Sequence, residues 1–330
     1  MQPLYDTDKG DLKPTMKKVI LVRNFWPIDE VLQSQFDALA SDYEIVNIQS
    51  NPTEEQLVRC EIVFGNVSRD LLDQTPNLKW MHTQTAGVEA YLNLPEHVVL
   101  TNSSGAFGIS IAEYMLSMTL SLLRNVPGYV RQQEQQLWKS IGDAKTLFNN
   151  NVTVIGLGDI GGRYAYLCHM MGAKVHGVVR NPRNEKPDYI DTLFTNDALE
   201  EAIRDADIVA LALPGTSGTV GILSHALMQQ MKKGAYVINV GRGTAIDQDA
   251  LIKLLQNGHI GGAALDVTHP EPLPPENPLW TMPNVIITPH NSPGGAGCMN
   301  AFLYAKFLKY LENYIHGKPF ERVVDRQAGY

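Results

Sequence analysis

The chain has 330 residues, enough for about two domains and too long for one typical core. Its 44% hydrophobic and 19% charged residues are an ordinary globular balance, which excludes a disordered chain. The net charge of −8 speaks against nucleic acid or an anionic membrane as a partner, so an acidic ligand would need a local positive charge.

Met1 to Lys13 is polar and lacks the apolar core of a leader peptide. From Lys17 short β-branched runs alternate with amphipathic stretches. Lys18–Val22 reads as a strand, Ile28–Ala40 as a helix and Tyr43–Ile48 as a second strand. Glu61–Phe64 and Leu78–Thr83 read as further strands, each followed by a turn rich in Gly, Asn or Thr. Gly108–Arg124 is a long apolar-rich helix that Pro127-Gly128 should stop. Its most apolar part, Tyr114–Leu123, is too short to span a bilayer and is broken by Ser117, Thr119 and Ser121. After a polar stretch the strands resume: Asn151–Ile155, Ala173–Val179, Ile208–Leu213, Ala235–Val240, Gly262–Val267 and Val285–Thr288. Asp159–Met171 and Tyr304–Ile315 read as helices. Strands alternating with helices predict an α/β protein with parallel sheets covered on both faces. Cys60, Cys168 and Cys298 are scattered and odd in number, without metal-ligand spacing. The expectation is a soluble cytoplasmic protein with no metal site.

One motif stands where it has mechanical meaning. Gly156-Leu157-Gly158-Asp159-Ile160-Gly161 follows a predicted strand and opens a predicted helix. The first glycine allows the tight turn, the second lets a pyrophosphate approach the backbone, and the third lets the helix pack on the sheet. The motif predicts a dinucleotide site, with Asp159 and Ile160 at the opening of the helix. An acid at the end of the next strand would hold a ribose 2′-hydroxyl. The chain instead reads Val179-Arg180-Asn181-Pro182-Arg183, which predicts NADP over NAD, Arg180 and Arg183 flanking the 2′-phosphate. The plainer reading makes both arginines solvated loop charges.

Three more residues handle an acid. Arg242 ends the apolar run Val237–Val240, flanked by Gly241 and Gly243, at the strand end where α/β folds bind ligands. Its planar fork suits a carboxylate; the alternative is a structural arginine capping the next helix. His290 follows Val285–Pro289 and suits proton exchange near neutral pH. Glu271 lies in the proline-dense loop His269–Pro275, which would hold a carboxylate stiffly. His269 is the competing histidine, and a surface glutamate is commonly only solvated.

Gly156–Gly161 with Ala165, Asn239–Gly243, Ala264–Val267, Glu271–Leu273 and Thr288–His290 together resemble the D-isomer-specific 2-hydroxyacid dehydrogenase family. The likeness covers nearly all of the second half and extends weakly into the first through Leu78-Lys79-Trp80 and Ala86-Gly87-Val88. It implies a Rossmann-type dinucleotide-binding domain over 104–292 and a discontinuous flavodoxin-like substrate domain over 1–103 and 293–330, with the ligands in a cleft. It implies that Arg242 binds the substrate carboxylate with help from the Ala86-Gly87-Val88 backbone. His290 would be the acid/base, supported by Glu271, with Asp266 near the nicotinamide. Leu213-Pro214 and Val240-Gly241 would complete the cofactor site. The implied activity is reversible hydride transfer between NAD(P) and a small 2-keto or 2-hydroxy acid, by a homodimer in which Gly108–Arg124 is either an interface helix or buried core.

Two departures from the commoner pattern are visible. Asn291-Ser292-Pro293-Gly294 replaces a small Ala-Gly turn after the histidine, and Arg180 replaces the acidic ribose ligand. The rival reading is a non-catalytic dinucleotide sensor on the same fold, which needs the glycine motif but not the intact acid-handling set. By the family resemblance, a glutamate and not an amide at position 271 disfavours formate as substrate.

Overall fold

The structure is a computed structural model that describes residues 16–23, 30–294 and 296–330, without the side chains of 296–301. Cys298 therefore lies outside the described side chains. The chain divides into two compact units, each built on one parallel sheet.

Among the described residues, the first unit comprises those up to Gln84, Asn93–Thr101 and Phe307–Val323. Its strands are β1 (Lys18–Val22), β2 (Tyr43–Asn47), β3 (Cys60–Phe64), β4 (Trp80–Thr83) and β5 (Val99–Asn102), in the order β2-β1-β3-β4-β5. β3 and β4 are buried along their whole length, as the near-continuous apolar runs of a sheet covered on both faces require. Phe307, from the middle of the Ala296–Ile315 helix, stacks on Phe64 at 4.0 Å between ring centroids and on Trp80 at 5.3 Å. Each such ring removes a large apolar area from water and orders its neighbours by offset stacking.

The second unit comprises Thr85–Leu92, Asn102–Lys306 and Val324–Tyr330. Its strands are β6 (Asn151–Ile155), β7 (Lys174–Val179), β8 (Thr192–Thr195), β9 (Ile208–Leu211), β10 (Ala235–Asn239), β11 (Ile260–Leu265) and β12 (Val285–Ile287). They run parallel in the order β12-β11-β10-β9-β6-β7-β8. The chain leaves β6 toward β7 and β8, then returns to build the other half outward from β9. The switch point therefore lies between β6 and β9, where an open parallel sheet receives its ligand at the carboxyl ends of the strands. Both sheets and the Rossmann-type order agree with the α/β expectation.

Some boundaries differ from those read in the sequence. Residues 85–92, 102–103, 293–306 and 324–330 group with the seven-stranded unit instead of with the five-stranded one. Asn102 Nδ2 donates to the Ala86 carbonyl at 2.8 Å, one of the bonds that ties the first of these segments there. The Gly108–Leu123 helix ends as predicted, but Pro127 then opens a second helix, Val126–Glu134, that the polar composition concealed. A proline in the first helical turn costs no hydrogen bond, so it can start a helix as well as end one. Ile111, Ala112, Met115, Leu122 and Leu123 of the first helix are buried core residues. Among the described residues no helix is long and apolar enough to cross a membrane.

Candidate active site

The glycine turn bridges β6 and the Asp159–Met170 helix. Gly156 sits at φ +96°, and a Cβ there would also stand 2.6 Å from the Ala212 carbonyl. A Cβ on Gly161 would collide with the Gly156 carbonyl, while around Gly158 nothing lies within 4 Å. One glycine thus makes the turn, one closes helix on sheet, and one leaves open backbone at a helix N-terminus. That is the division of labour a dinucleotide pyrophosphate needs, so the residues fit the group. The Asp159 carboxylate does not point its charge freely at that space. It pairs with Arg163 at 3.1 Å and packs against Gly108.

Arg180 follows β7 directly and is exposed. Its Nη1 donates to the Tyr330 hydroxyl at 3.4 Å, and Arg183 Nη2 donates to the Leu157 carbonyl inside the glycine turn at 3.3 Å. Leu213 lies between two parts of the set: its side chain reaches Gly156, and its backbone passes where a Gly241 side chain would have to stand. Val240 is buried in the core of the same unit. Ile160 is half-buried against the core of the same unit.

Arg242 is placed by a side chain that sequence reading did not single out. Asn239 is fully buried at the end of β10. Its Oδ1 accepts from Gly241 N–H at 3.0 Å, and its Nδ2 donates to the Arg242 carbonyl at 2.9 Å. A buried amide with both ends bonded locks the turn that carries the arginine. Gly87 lies against the guanidinium, so the Ala86-Gly87-Val88 segment and Arg242 meet. Thr85 Oγ1 donates to the Gly87 carbonyl at 2.7 Å, and Val88 is buried.

Glu271 and His290 form a direct pair. His290 Nδ1 lies 2.8 Å from Glu271 Oε2, while Glu271 Oε1 accepts from Thr268 N–H at 3.1 Å. Both carboxylate oxygens are therefore fixed, and the imidazole is held through one nitrogen. With Nδ1 committed, Nε2 is the nitrogen available for proton exchange. The competitor His269 is exposed, and its backbone is tied to Gln248. A Cβ on Gly243 would collide with the Thr268 carbonyl, so the arginine turn and the glutamate loop are packed backbone to backbone.

His290 adopts φ +50°, a left-handed conformation unusual for a residue with a side chain. Asp266, buried at the end of β11, staples it there. The Asp266 carbonyl accepts from His290 N–H at 2.8 Å, and Oδ1 accepts from Asn291 N–H at 3.0 Å. Oδ2 accepts from Ser292 N–H at 3.0 Å. Thr288 Oγ1 donates to Asp266 Oδ1 at 2.6 Å and lies 2.6 Å from the Tyr114 hydroxyl. The Asn291-Ser292 departure from the commoner turn is thus a segment bound by one carboxylate. Cys60 and Cys168 are free and buried, and burial pushes both thiols up to about 12, so neither is a nucleophile near neutral pH.

The sequence model of the D-isomer specific 2-hydroxyacid dehydrogenase NAD binding domain matches residues 116–292, more than half of the chain. The chain belongs to the D-isomer specific 2-hydroxyacid dehydrogenase family. It is 30% identical over 262 residues to a glyoxylate/hydroxypyruvate reductase A of Salmonella typhi, covering 77% of this chain and 82% of that protein. A solved family member from Aeromonas salmonicida superposes with a TM-score of 0.82 at 30% identity, covering 94% of this chain and 100% of the other. An NADPH-dependent glyoxylate/hydroxypyruvate reductase from Sinorhizobium meliloti, solved with NADP and sulfate, gives 0.80 at 26% identity, over 95% and 100% of the two chains. As a 2-hydroxyacid dehydrogenase the protein is an oxidoreductase that uses a nicotinamide dinucleotide, and the catalytic reading stands over the sensor reading.

Proposed function

We propose that this 2-hydroxyacid dehydrogenase reduces small 2-keto acids of the size of glyoxylate and hydroxypyruvate, with NADPH preferred over NADH. The observation that carries the reaction is the His290–Glu271 pair at 2.8 Å, beside the turn that presents Arg242. The cofactor preference is supported by Arg180 and Arg183 after β7, where no acid competes for a ribose hydroxyl.

When bound, the nicotinamide supplies or takes up the hydride at the substrate C2. Arg242, with the Ala86-Gly87-Val88 backbone, holds the substrate carboxylate and orients the keto carbon. Protonated His290 donates from Nε2 to the keto oxygen as negative charge develops on it. Glu271 keeps the imidazole in the orientation and tautomer this step needs. Gly156, Gly158 and Gly161, with Asp159 and Ile160 opening the helix, seat the pyrophosphate. Leu213, Pro214, Val240, Gly241 and Asp266 line the same site.

The cofactor half of this reading is tested by Arg180→Asp. The ratio of kcat/KM for NADPH to that for NADH should fall by about tenfold or more, the scale of a charge-assisted phosphate contact. An unchanged ratio rejects the role of Arg180. We further propose that the protein is a homodimer. Val126, Tyr129, Val130, Leu137 and Trp138, on and just after the Val126–Glu134 helix, leave large apolar surface exposed in the isolated chain.

A further inference from the structure

A second charged group shares the place of Arg242. Arg242 Nε donates to Glu89 Oε1 at 2.9 Å, and Nη1 donates to the Gly241 carbonyl at 2.8 Å. Two glycines fit closely around this pair. A Cβ on Gly87 would collide with Arg242 Nη2 and stand 2.7 Å from Glu89 Oε2, and one on Gly215 would stand 2.7 Å from Glu89 Oε1. Burial acts to raise the Glu89 carboxyl, but the hydrogen bond and charge of Arg242 outweigh it and hold the carboxyl below the usual range. Glu89 is thus an anion near neutral pH.

Two consequences follow for an acid bound here. With Nε and Nη1 committed, Nη2, beside the Gly87 backbone, is left for a substrate carboxylate. The charge of Arg242 is also already offset before substrate arrives. One carboxylate can be held by directed hydrogen bonds and the neighbouring backbone. A second on the same ligand would meet the Glu89 carboxylate, and a like charge brought against a partly desolvated anion is strongly rejected.

We propose that Glu89 is a specificity-determining residue, which orients the Arg242 guanidinium for a single carboxylate and restricts the site to 2-keto monocarboxylates. This rests on the reading of Arg242 as the carboxylate clamp. The pairing joins positions 153 residues apart in sequence, and no spacing rule points to it.

The test compares glyoxylate with oxaloacetate, a 2-keto dicarboxylate, in the unmodified protein, Glu89→Gln and Arg242→Ala. In Glu89→Gln the kcat/KM ratio of oxaloacetate to glyoxylate should rise by about tenfold or more, mainly through KM. A ratio that stays put or falls overturns the inference. The unmodified protein gives a second reading that needs no variant to fold. Tartronate, a dicarboxylic 2-hydroxy acid, should inhibit glyoxylate reduction about tenfold more weakly than the monocarboxylate D-lactate; equal or tighter inhibition overturns the inference. Arg242→Ala separates the two levels. If it keeps glyoxylate turnover, the clamp reading falls and the role of Glu89 with it. If it loses turnover while the Glu89→Gln ratio is unchanged, only the role of Glu89 falls.

Discussion

The proposed chemistry depends on a few side chains whose neighbours were unequally legible. The glycine motif, Arg242 and His290 stand at strand ends in contexts that announce them, because ligands bind an open parallel sheet at that edge. Glu271 was ambiguous beside His269, since nothing in a proline-dense loop says which side chain turns inward. The Thr268 N–H decides it by taking one carboxylate oxygen and leaving the other for His290. Asn239 carried a signal that could have been used: an amide within the apolar run Val237–Val240 must find partners if it is buried. Glu89 carried none. Two outcomes are expected at this scale. Arg242→Ala should lower kcat/KM for glyoxylate by about 100-fold, the size of a charged hydrogen bond lost together with orientation. Glu271→Gln should lower kcat by about tenfold or more while the KM for NADPH stays within about twofold, because it loosens the imidazole without touching the dinucleotide. A cofactor KM that moves with kcat would mean that Glu271 supports the loop and not the reaction.

Elements set these residues in register, and most of them could be read from periodicity. Ten of the twelve described strands fall close to their predicted spans because β-branched runs between turn residues have few other uses, whereas the short edge strands Val99–Asn102 and Thr192–Thr195 are not among the predicted strands. The Val126–Glu134 helix was hidden because Pro127-Gly128 reads as a stop, and its Gln-rich remainder has no apolar stripe. The left-handed turn at His290 was equally hidden, since what holds it comes from three separated elements: Tyr114, Asp266 and Thr288. Removing one hydroxyl tests that staple. Tyr114→Phe should leave the fold intact and lower kcat a few-fold, with the KM for NADPH unchanged; an unaltered kcat would show that Asp266 holds the turn without it. Gly161→Ala tests the helix–sheet contact, because the added carbon would collide with the Gly156 carbonyl. We expect a loss of about 1–3 kcal/mol in stability, measured by denaturant unfolding, together with weakened dinucleotide binding. A variant with unchanged stability would mean that the turn can shift at little cost.

At the scale of the molecule, the two parallel sheets were predictable from the alternation of strands and helices, whereas the course of the chain between the two units was not. The segment 85–92 belongs with the seven-stranded unit through bonds to Asn102 and Arg242, and such long-range pairings leave no local pattern in a sequence. The proposed homodimer belongs to this scale. Trp138 is fully exposed in the isolated chain. Light scattering should therefore give twice the chain mass for the unmodified protein and a shift toward monomer in Trp138→Ser. A monomeric unmodified protein would reject the dimer.

The proposed reaction depends on His290, held by Glu271, exchanging the proton during reduction of a 2-keto acid. It is tested most directly by following NADPH and NADH oxidation with glyoxylate and hydroxypyruvate, in the unmodified protein and in His290→Gln. Turnover should be faster with NADPH and fall by about 100-fold or more in the variant while NADPH still binds. Turnover in His290→Gln close to that of the unmodified protein would contradict it.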